Sequence, residues 1–450
     1  MGERSELRKA VLGLRECMLI CIGGMIGIAV FVLSSITATL AGPSAVLIWV
    51  VAGGLMFIIA LNFAELATAF PRAGGIYVYP YETFGGGSGL GVFVSHLTGW
   101  LYWFTFGVLA NVIGAIFIGQ YVAIFIPGAA AYSTYIAVVV LVFVWALNLV
   151  GVVPTGIVNT ILTACLIAIM LIYVCVGLPA VNLAYYHPFI SGYMGSRGFL
   201  VGVTIAWLGY TAWISITSIA EEIKEPQKTI PKAISFAIFA VASIYFLVLF
   251  VTFGLAPWSE FTEKNPFGYY SPFSYAASKL GVPWVTPLVS LAAILAITTT
   301  MIVLVLDSSR VLLAMGRTGM LPTIFSRVNE RFKTPWFSLT FLTVVSIAFV
   351  TQPPWVVQYL IQMGGGSFGV IIFISCICVI YLRRWRPEVK AKFRMRGSYI
   401  LPLAAMCIIG VAMTQYDSIV YYLTGGWIAI GCIYYLLRYL TKSGVFKPKA

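Results

Sequence analysis

The chain has 450 residues, of which 61% are hydrophobic and only 9% are charged, and its formal net charge is +13. Soluble domains carry about 25% charged residues, so this composition excludes a water-soluble globular protein and, because so much apolar surface can be buried, a disordered one. The apolar runs are long and do not alternate with polar residues, which excludes a membrane β-barrel and is typical of membrane-spanning helices.

Apolar stretches of about 20 residues are long enough to span the hydrocarbon core of a bilayer. Read along the chain, they predict an all-α polytopic membrane protein that forms one domain over residues 1–450. The twelve predicted spans lie at 16–40, 43–69, 91–126, 132–150, 155–178, 198–220, 232–256, 284–309, 335–351, 355–381, 398–415 and 419–440.

Basic residues set the predicted orientation. With twelve spans and an internal N-terminus, every Lys and Arg except Arg197, Lys264 and Lys279 lies in a cytoplasmic segment. Because cytoplasmic loops of membrane proteins carry an excess of Lys and Arg, we predict a cell-membrane protein with both termini in the cytoplasm. The basic excess therefore indicates a lipid bilayer as the chain's surroundings and does not indicate a nucleic-acid partner.

The first span contains three glycines within five residues, Gly23, Gly24 and Gly27. Each glycine weakens a helix by about 1 kcal/mol relative to alanine, so the helix can break here. The second half-helix would then present free N–H groups and a positive dipole end to an anion, and the carbonyls of the first half would suit an ammonium group or a cation. Close packing of helices through small residues explains the same glycines equally well.

The sixth span places small residues between bulky aromatic ones. Its candidate site residues form the wall and lid of a pocket or, alternatively, an aromatic packing layer; they are Trp207, Tyr210, Thr211, Ala212 and Trp213.

The eighth span carries a run of hydroxyl side chains. We consider Thr298 and Thr299 a candidate cation site. The alternative is that these hydroxyls bond to carbonyls of their own helix, as they usually do within a span.

Acidic residues lie near the predicted cytoplasmic ends of spans, namely Glu16, Glu65, Glu221, Glu222 and Asp307. The middle of the membrane is therefore predicted to hold no formal charge, which favours a neutral or zwitterionic ligand, because an unpaired ion in a bilayer is costly. The chain has no catalytic motif and no metal-ligand cluster, so we expect neither an enzyme nor a cofactor or metal.

Several stretches resemble the amino acid–polyamine–organocation family of permeases. The two most specific are AEEIKEPQKTIPKAI at 220–234 and the segment that ends in RTGMLP, at 310–322. The glycine-rich stretch 23–31 and the stretches 41–67 and 70–79 are also similar to family segments.

The resemblance implies two inverted five-span repeats, at about 16–178 and about 198–381, followed by two extra helices at about 398–440. It also implies that helices 1 and 6 are discontinuous and hold an amino acid between them. Backbone N–H groups of the first break would bind its carboxylate, and carbonyls of both breaks its ammonium group. With the neighbouring positions, the implied substrate-binding stretch of the first span is Ile22, Gly23, Gly24, Met25, Ile26, Gly27 and Ile28.

Several positions depart from the family pattern. Among them, Ile214 stands where several members carry an acidic residue. A cationic ligand would lack its partner there, so the hypothesis is a secondary active transporter for a zwitterionic, apolar or aromatic amino acid. In this hypothesis Glu221, Glu222, Lys224 and Arg310 form the cytoplasmic gate. A polyamine or cationic amino acid exchanger and a non-transporting amino acid sensor are the alternatives. The sequence leaves open whether Na⁺ or H⁺ is coupled and how many copies assemble.

Overall fold

The computed structural model describes residues 6–126, 128–263, 271–352, 363–395, 397 and 399–441, and these are helical with connecting loops. The first half comprises α1 (Leu14–Met25), α2 (Ile28–Ala41), α3 (Ala45–Ala69), α4 (Gly75–Thr83), α5 (Gly89–Phe104), α6 (Ala110–Phe125), α7 (Ser133–Val150) and α8 (Val152–Gly177). The second half comprises α9 (Gly195–Ala206), α10 (Ser215–Ser218), α11 (Pro226–Leu255), α12 (Glu260–Glu263), α13 (Pro272–Ser278), α14 (Val285–Arg317), α15 (Trp336–Val350), α16 (Met363–Trp385), α17 (Ile400–Met413) and α18 (Ser418–Thr441).

Nine helical stretches of the described residues are long and apolar enough to cross a membrane, and the shorter apolar helices α15 and α17 add to them. One of the nine, Ile28–Ala69, contains both α2 and α3. The all-helical polytopic class is therefore confirmed. The first part of the predicted tenth span, 355–362, lies outside the described residues.

The first predicted span is interrupted. The helix α1 ends at Met25 and α2 begins at Ile28, because Ile26 and Gly27 leave the helical region with ψ angles of 79° and −151°. The α1 half packs among α8, α11 and α14, so the interruption lies in the middle of the helix bundle. The glycines therefore accompany a break in this helix.

The sixth predicted span changes helix type where the resemblance implies a discontinuity. Between α9 and α10 the chain forms a 3₁₀-helix over Trp207–Ile214. A 3₁₀-helix is held by i→i+3 hydrogen bonds and has three residues per turn. The helix is therefore tighter here than an α-helix and its side chains point in different directions, but the backbone stays helical. Span six thus changes helix type but stays helical in this structure, whereas span one is interrupted by two non-helical residues.

The third predicted span is also irregular. A π-helical turn over Thr105–Leu109 separates α5 from α6. The Asn111 side-chain amide donates to the carbonyls of Phe106 and Gly107, at 3.2 and 3.1 Å, and so contacts the backbone of this turn. Such turns are frequent at functional sites, and this one faces the break in the first span across a cavity.

Candidate functional site

A cavity of about 330 Å³ lies beside the break in the first span. Its walls come from α2, the π turn, α6, the 3₁₀-helix and α14, and none of the described residues that line it is charged. Its lining is Gly24, Met25, Gly27, Ile28, Ala29, Val32, Leu33, Ile36, Thr105, Phe106, Leu109, Ala110, Ile113, Phe117, Leu208, Thr211, Ala212, Thr300, Leu304 and Gly364. The size is in the range of small-molecule pockets, and the apolar lining suits an apolar side chain.

The amide end of the break faces this cavity. The first residues of α2, Ile28 and Ala29, line it, and the N-cap residue, Gly27, has no side chain that could cap the helix. The first N–H groups of any helix lack a partner inside the helix, and they carry the positive end of its dipole. This end of α2 is therefore suited to a carboxylate that enters the cavity.

The carbonyl end of the break is held by three side chains. The Thr299 hydroxyl reaches the Gly23 carbonyl at 2.9 Å, and the Thr300 hydroxyl reaches the Gly24 carbonyl at 2.9 Å. Both also reach the Ala296 carbonyl of their own helix, at 2.9 and 3.1 Å. The Tyr245 hydroxyl donates to the Met25 carbonyl at 2.6 Å and reaches the Gly209 carbonyl at 3.2 Å. The last turn of α1 is thus fixed by α14 and α11, and Tyr245 ties the break to the 3₁₀-helix.

Sequence reasoning did not single out Tyr245 or Thr300. The first hydroxyl of the run, that of Thr298, donates to the Ile294 carbonyl of its own helix at 2.7 Å. The spacing of these hydroxyls along α14 does not indicate which of them faces the first span, because that depends on the rotation of α14 about its axis. The cation site at Thr298 and Thr299 stays a prediction.

The remaining predicted residues of the first span lie away from the cavity. Ile22 and Ile26 are buried in the core. Gly23 faces α8, where a Cβ atom would lie only 2.1 Å from the Thr163 hydroxyl. Gly24, Met25, Gly27 and Ile28 therefore form the part of the predicted stretch that the structure places at the cavity.

The predicted residues of the sixth span divide into two groups. Thr211 and Ala212 line the cavity. Tyr210 packs against Tyr245 and donates to the Trp49 carbonyl at 2.8 Å, and Trp213 packs edge-on against Phe63.

The third aromatic residue of that span, Trp207, packs edge-on against Phe368. In this conformation the three aromatic side chains therefore form a packing layer behind the cavity, and their roles as pocket wall and lid stay predictions.

The predicted gate residues meet at the opposite end of α1 from the cavity, which we call the α1 end. Glu222 and Arg310 form a two-pronged ion pair there, with both distances at 3.1 Å and both side chains fully buried. Burial raises the pKa of the Glu222 carboxyl, and the guanidinium opposes that rise. Without Arg310 the Glu222 charge would be buried and uncompensated, so the pair holds this end together only while both partners are present.

Backbone contacts extend the closure of the α1 end. Leu12, just before α1, pairs with Ile223, just after span six, through a short β-bridge. Glu221 accepts hydrogen bonds from Arg317 at 3.2 Å and from the Ala73 amide at 3.1 Å.

The fourth predicted gate residue, Lys224, contributes its backbone amide, which donates to the Leu12 carbonyl at 2.8 Å, whereas its side chain is exposed. The segments that flank the first and sixth spans are thus joined directly at this end.

A second buried ion pair at the α1 end was not predicted. Arg383 of α16 binds Glu65 of α3, and both side chains are at most 6% exposed. The Met395 amide also donates to Glu65, at 3.0 Å, so the loop after α16 docks beneath α3. The only signal in the sequence was a lone acidic residue close to the end of an apolar span.

Comparison with known proteins gives a consistent picture. A family model described as "Amino acid permease" matches residues 12–437. The branched-chain amino acid permease BcaP of Bacillus subtilis is 27% identical, over 97% of this chain and 94% of its own length. The methylthioribose transporter of the same organism is 27% identical, over 94% of this chain and 92% of its own length.

A plant relative is similar over a shorter region. The cationic amino acid transporter 9, chloroplastic, of Arabidopsis thaliana is 29% identical, over 71% of this chain and 57% of its own length. The three relatives differ in the cargo that their names state, so the family alone does not identify the cargo of this chain.

Proposed function

This chain belongs to the amino acid permease family, and from that premise we propose that it is a secondary active transporter for a zwitterionic amino acid with an apolar or aromatic side chain. The proposal includes the finer architecture that the resemblance implies, namely twelve spans, two inverted repeats of five and two extra helices. It also includes alternating access between the two sides of a cell membrane, with both termini in the cytoplasm.

The observation that carries the proposal is an uncapped helix end that opens into an apolar cavity. The amides of Ile28 and Ala29 supply an anion site without a charged side chain, and the carbonyls of Gly24 and Met25 lie on the other side of the break. Each carbonyl oxygen has two lone pairs. The Met25 carbonyl already accepts from the Tyr245 hydroxyl and from the Gly27 amide, whereas the Gly24 carbonyl accepts from Thr300 and keeps a lone pair for an ammonium group. A zwitterion matches both sides, and its apolar side chain matches the lining.

The uncharged lining favours a zwitterion over a cation. A lysine, arginine or polyamine would bring an additional positive charge into a cavity whose described lining contains only three hydroxyl groups, those of Thr105, Thr211 and Thr300. An uncompensated charge in such surroundings is costly.

The two ends of the first span support alternating access. The α1 end is closed by Glu222–Arg310 and by the pairing of Leu12 with Ile223, whereas the cavity extends along α2 as far as Ile36. We propose that the cargo enters from the α2 side and that separation of the α1-end contacts releases it on the other side. The predicted gate residues would then form ion pairs in one state of the cycle only.

Uptake into proteoliposomes tests the proposal. Purified full-length protein is reconstituted and given a panel of labelled apolar, aromatic and cationic amino acids, polyamines and methylthioribose. We expect saturable uptake of apolar or aromatic amino acids, and imposed Na⁺ and H⁺ gradients in parallel assays identify the coupled ion. Uptake of polyamines or cationic amino acids alone would overturn the cargo assignment, and binding without any flux would indicate a sensor.

A further inference from the structure

Asp307 is a buried carboxyl group to which the proposed cycle has not yet assigned a role. It lies in α14, fully buried, three residues after Leu304, which lines the cavity, and three residues before Arg310. Three residues correspond to nearly one turn of a helix, about 5 Å along its axis. Asp307 therefore lies between the cavity and the buried ion pair that closes the α1 end.

Its hydrogen-bond partners are uncharged. The Tyr102 hydroxyl of α5 donates to one carboxyl oxygen of Asp307 at 2.6 Å, and the Ser308 hydroxyl donates to the other at 3.0 Å. The Ser215 hydroxyl of α10 faces the same group. A serine hydroxyl can accept from a protonated Asp307 or donate to its carboxylate, so these partners accommodate both forms of the group. No cation forms a hydrogen bond with Asp307 among the described residues.

The nearest cation, Arg310, is already engaged. It donates two hydrogen bonds to Glu222 and two within α14, to the Leu306 carbonyl and the Ser309 hydroxyl. The titratable groups that face Asp307 from the described elements packed around it are therefore Tyr102 and Arg310, with Glu222 acting through Arg310. Two buried acidic residues, Glu222 and Asp307, thus lie near one guanidinium. In this conformation the guanidinium binds Glu222, which is the one further away along the chain.

Asp307 is also linked to the cavity. The Tyr102 ring stacks on Phe106 with 4.8 Å between the ring centres, and Phe106 lines the cavity. On the other side Ser308 packs tightly against the π turn, where a Cβ atom on Gly107 would lie 2.7 Å from the Ser308 Cβ atom. Cargo that presses on Phe106 or on the π turn would reach both hydroxyl donors of Asp307.

We propose that Asp307 carries the proton that drives uptake, and that Glu222 and Asp307 alternate as partners of Arg310. This inference rests on the proposed transport function. With the α1 end closed, Glu222 binds Arg310 and Asp307 holds a proton taken up from the cavity side. When the α1 end opens, Glu222 separates from Arg310, the guanidinium turns to Asp307, and the proton leaves to the water on that side.

The return step restores the starting state. Glu222 binds Arg310 again as the α1 end closes, Asp307 loses its cationic partner, and it takes up a new proton from the cavity side. One proton thus crosses per cycle, and the number of buried charges stays balanced in both states. The chain would be a proton symporter that needs no sodium ion for coupling.

The test uses full-length protein in proteoliposomes that contain a pH-sensitive dye. Three quantities are measured with the amino acid that the uptake panel selects: exchange across equal pH, accumulation under a pH gradient of one unit, and cargo-dependent acidification of the lumen. One proton per cargo sustains about a tenfold accumulation under that gradient, because one pH unit corresponds to about 1.4 kcal/mol. We expect this accumulation from the wild type.

The Asp307→Asn variant keeps the uncharged form permanently. We expect it to exchange cargo but to show no accumulation above the outside concentration and no acidification, whereas Asp307→Glu restores both in part. The matched control is Asp417→Asn, the same substitution at an exposed position after α17, which should behave as the wild type. Accumulation and acidification by Asp307→Asn equal to the wild type would overturn the proposal.

The wild-type measurements keep the test decisive if Asp307→Asn does not fold. If the wild type exchanges an amino acid but shows neither accumulation under the pH gradient nor acidification during net uptake, the role of Asp307 is overturned and the transport function stays intact. Absence of exchange for every amino acid in the panel would instead overturn the transport function.

Discussion

The two ends of the interrupted first span differ in the residues that surround them: charged residues at the α1 end and mostly apolar residues along α2. At the α1 end, buried charges meet in the pairs Glu222–Arg310 and Glu65–Arg383, and backbone segments join at Leu12. Along α2, the neighbouring space is a cavity whose described lining is apolar apart from a few hydroxyls. The α1 end of the broken helix is therefore closed by ion pairs, whereas a cavity lies beside its α2 end.

This difference separates two tasks. Ion pairs are directional and are strongly destabilised when one partner leaves, so they suit contacts that are either made or broken. Apolar surface is non-directional and suits a cargo whose side chain must enter and leave. The break itself shows the same division. Its carbonyls are held by Tyr245, Thr299 and Thr300, whereas the first residues of α2 line the cavity and follow a glycine that has no capping side chain.

The largest effect is expected from breaking the ionic end. Glu222→Gln removes the charge that compensates the fully buried Arg310, and losing one partner of such a pair costs about 3–5 kcal/mol. We expect a marked fall in the thermal unfolding midpoint of the detergent-solubilised protein. The control is Glu388→Gln, whose pair with Arg386 is more than 30% exposed on both sides, and which should leave the midpoint nearly unchanged. Equal shifts for the two variants would show that charge does not hold the α1 end closed.

The next effect is expected at the break. A Cβ atom at Gly27 would lie 1.9 Å from the Thr300 hydroxyl oxygen, so Gly27→Val displaces the side chain that holds Gly24 and fills the cavity. Overpacking costs about 1–3 kcal/mol, so we expect roughly a 5- to 150-fold weaker Kd for the cargo. Gly54→Val is the matched control, because the space around Gly54 is empty within 4 Å. Unchanged binding by Gly27→Val in equilibrium titration would place the cargo elsewhere.

A smaller effect is expected from loosening the carbonyl end alone. Tyr245→Phe removes the hydroxyl that donates to the Met25 carbonyl and leaves the ring packing against Trp49 in place. One hydrogen bond is worth about 0.5–1.5 kcal/mol, so Kd should rise by roughly two- to tenfold. Tyr173→Phe, which loses a hydroxyl contact to Thr252 outside the cavity lining, should leave Kd unchanged. A similar Kd for both variants would remove Tyr245 from the site.

The smallest effect is expected from a change in the shape of the cavity. Ile113→Ala enlarges the cavity, and each lost methylene contact is worth about 0.8 kcal/mol to an aliphatic cargo. We expect the ratio of phenylalanine to leucine uptake to rise. Ile116→Ala, three residues further along α6 and outside the lining, is the control. If both variants leave the ratio unchanged, this wall does not select the cargo side chain.

The sequence could predict the broken helix but not the groups that hold it. Clustered glycines are a local signal, so Gly23, Gly24 and Gly27 allowed a break as well as close helix packing, and the family resemblance favoured the break. Tyr245 lies more than 200 residues away on an otherwise regular apolar helix, and no periodicity indicates that its hydroxyl reaches Met25. Contacts between distant helices depend on helix rotation, which hydropathy does not determine.

Two other features show the same limit. A 3₁₀-helix turns about 120° per residue and an α-helix about 100°, so the eight residues of Trp207–Ile214 accumulate roughly 160° of difference. That rotation accounts for Thr211 and Ala212 lining the cavity while Tyr210 and Trp213 pack behind it.

The predicted eighth span ends at 309, whereas the helix that contains it, α14, continues to Arg317. The sequence indicated a position for Asp307 near the cytoplasmic end of this span but not its distance from the cavity, which is about one helical turn.

The most direct test of the uncapped amide end is the binding of a cargo with and without its negative charge. Equilibrium titration of the wild-type protein compares L-leucine and L-phenylalanine with their carboxamides, which keep the side chain and the amino group. If the first amides of α2 bind the carboxylate, the charge-assisted hydrogen bonds contribute about 1.5–3 kcal/mol, and each carboxamide should bind roughly 10- to 150-fold more weakly. Equal affinity for acid and carboxamide would contradict this role for the amides of Ile28 and Ala29.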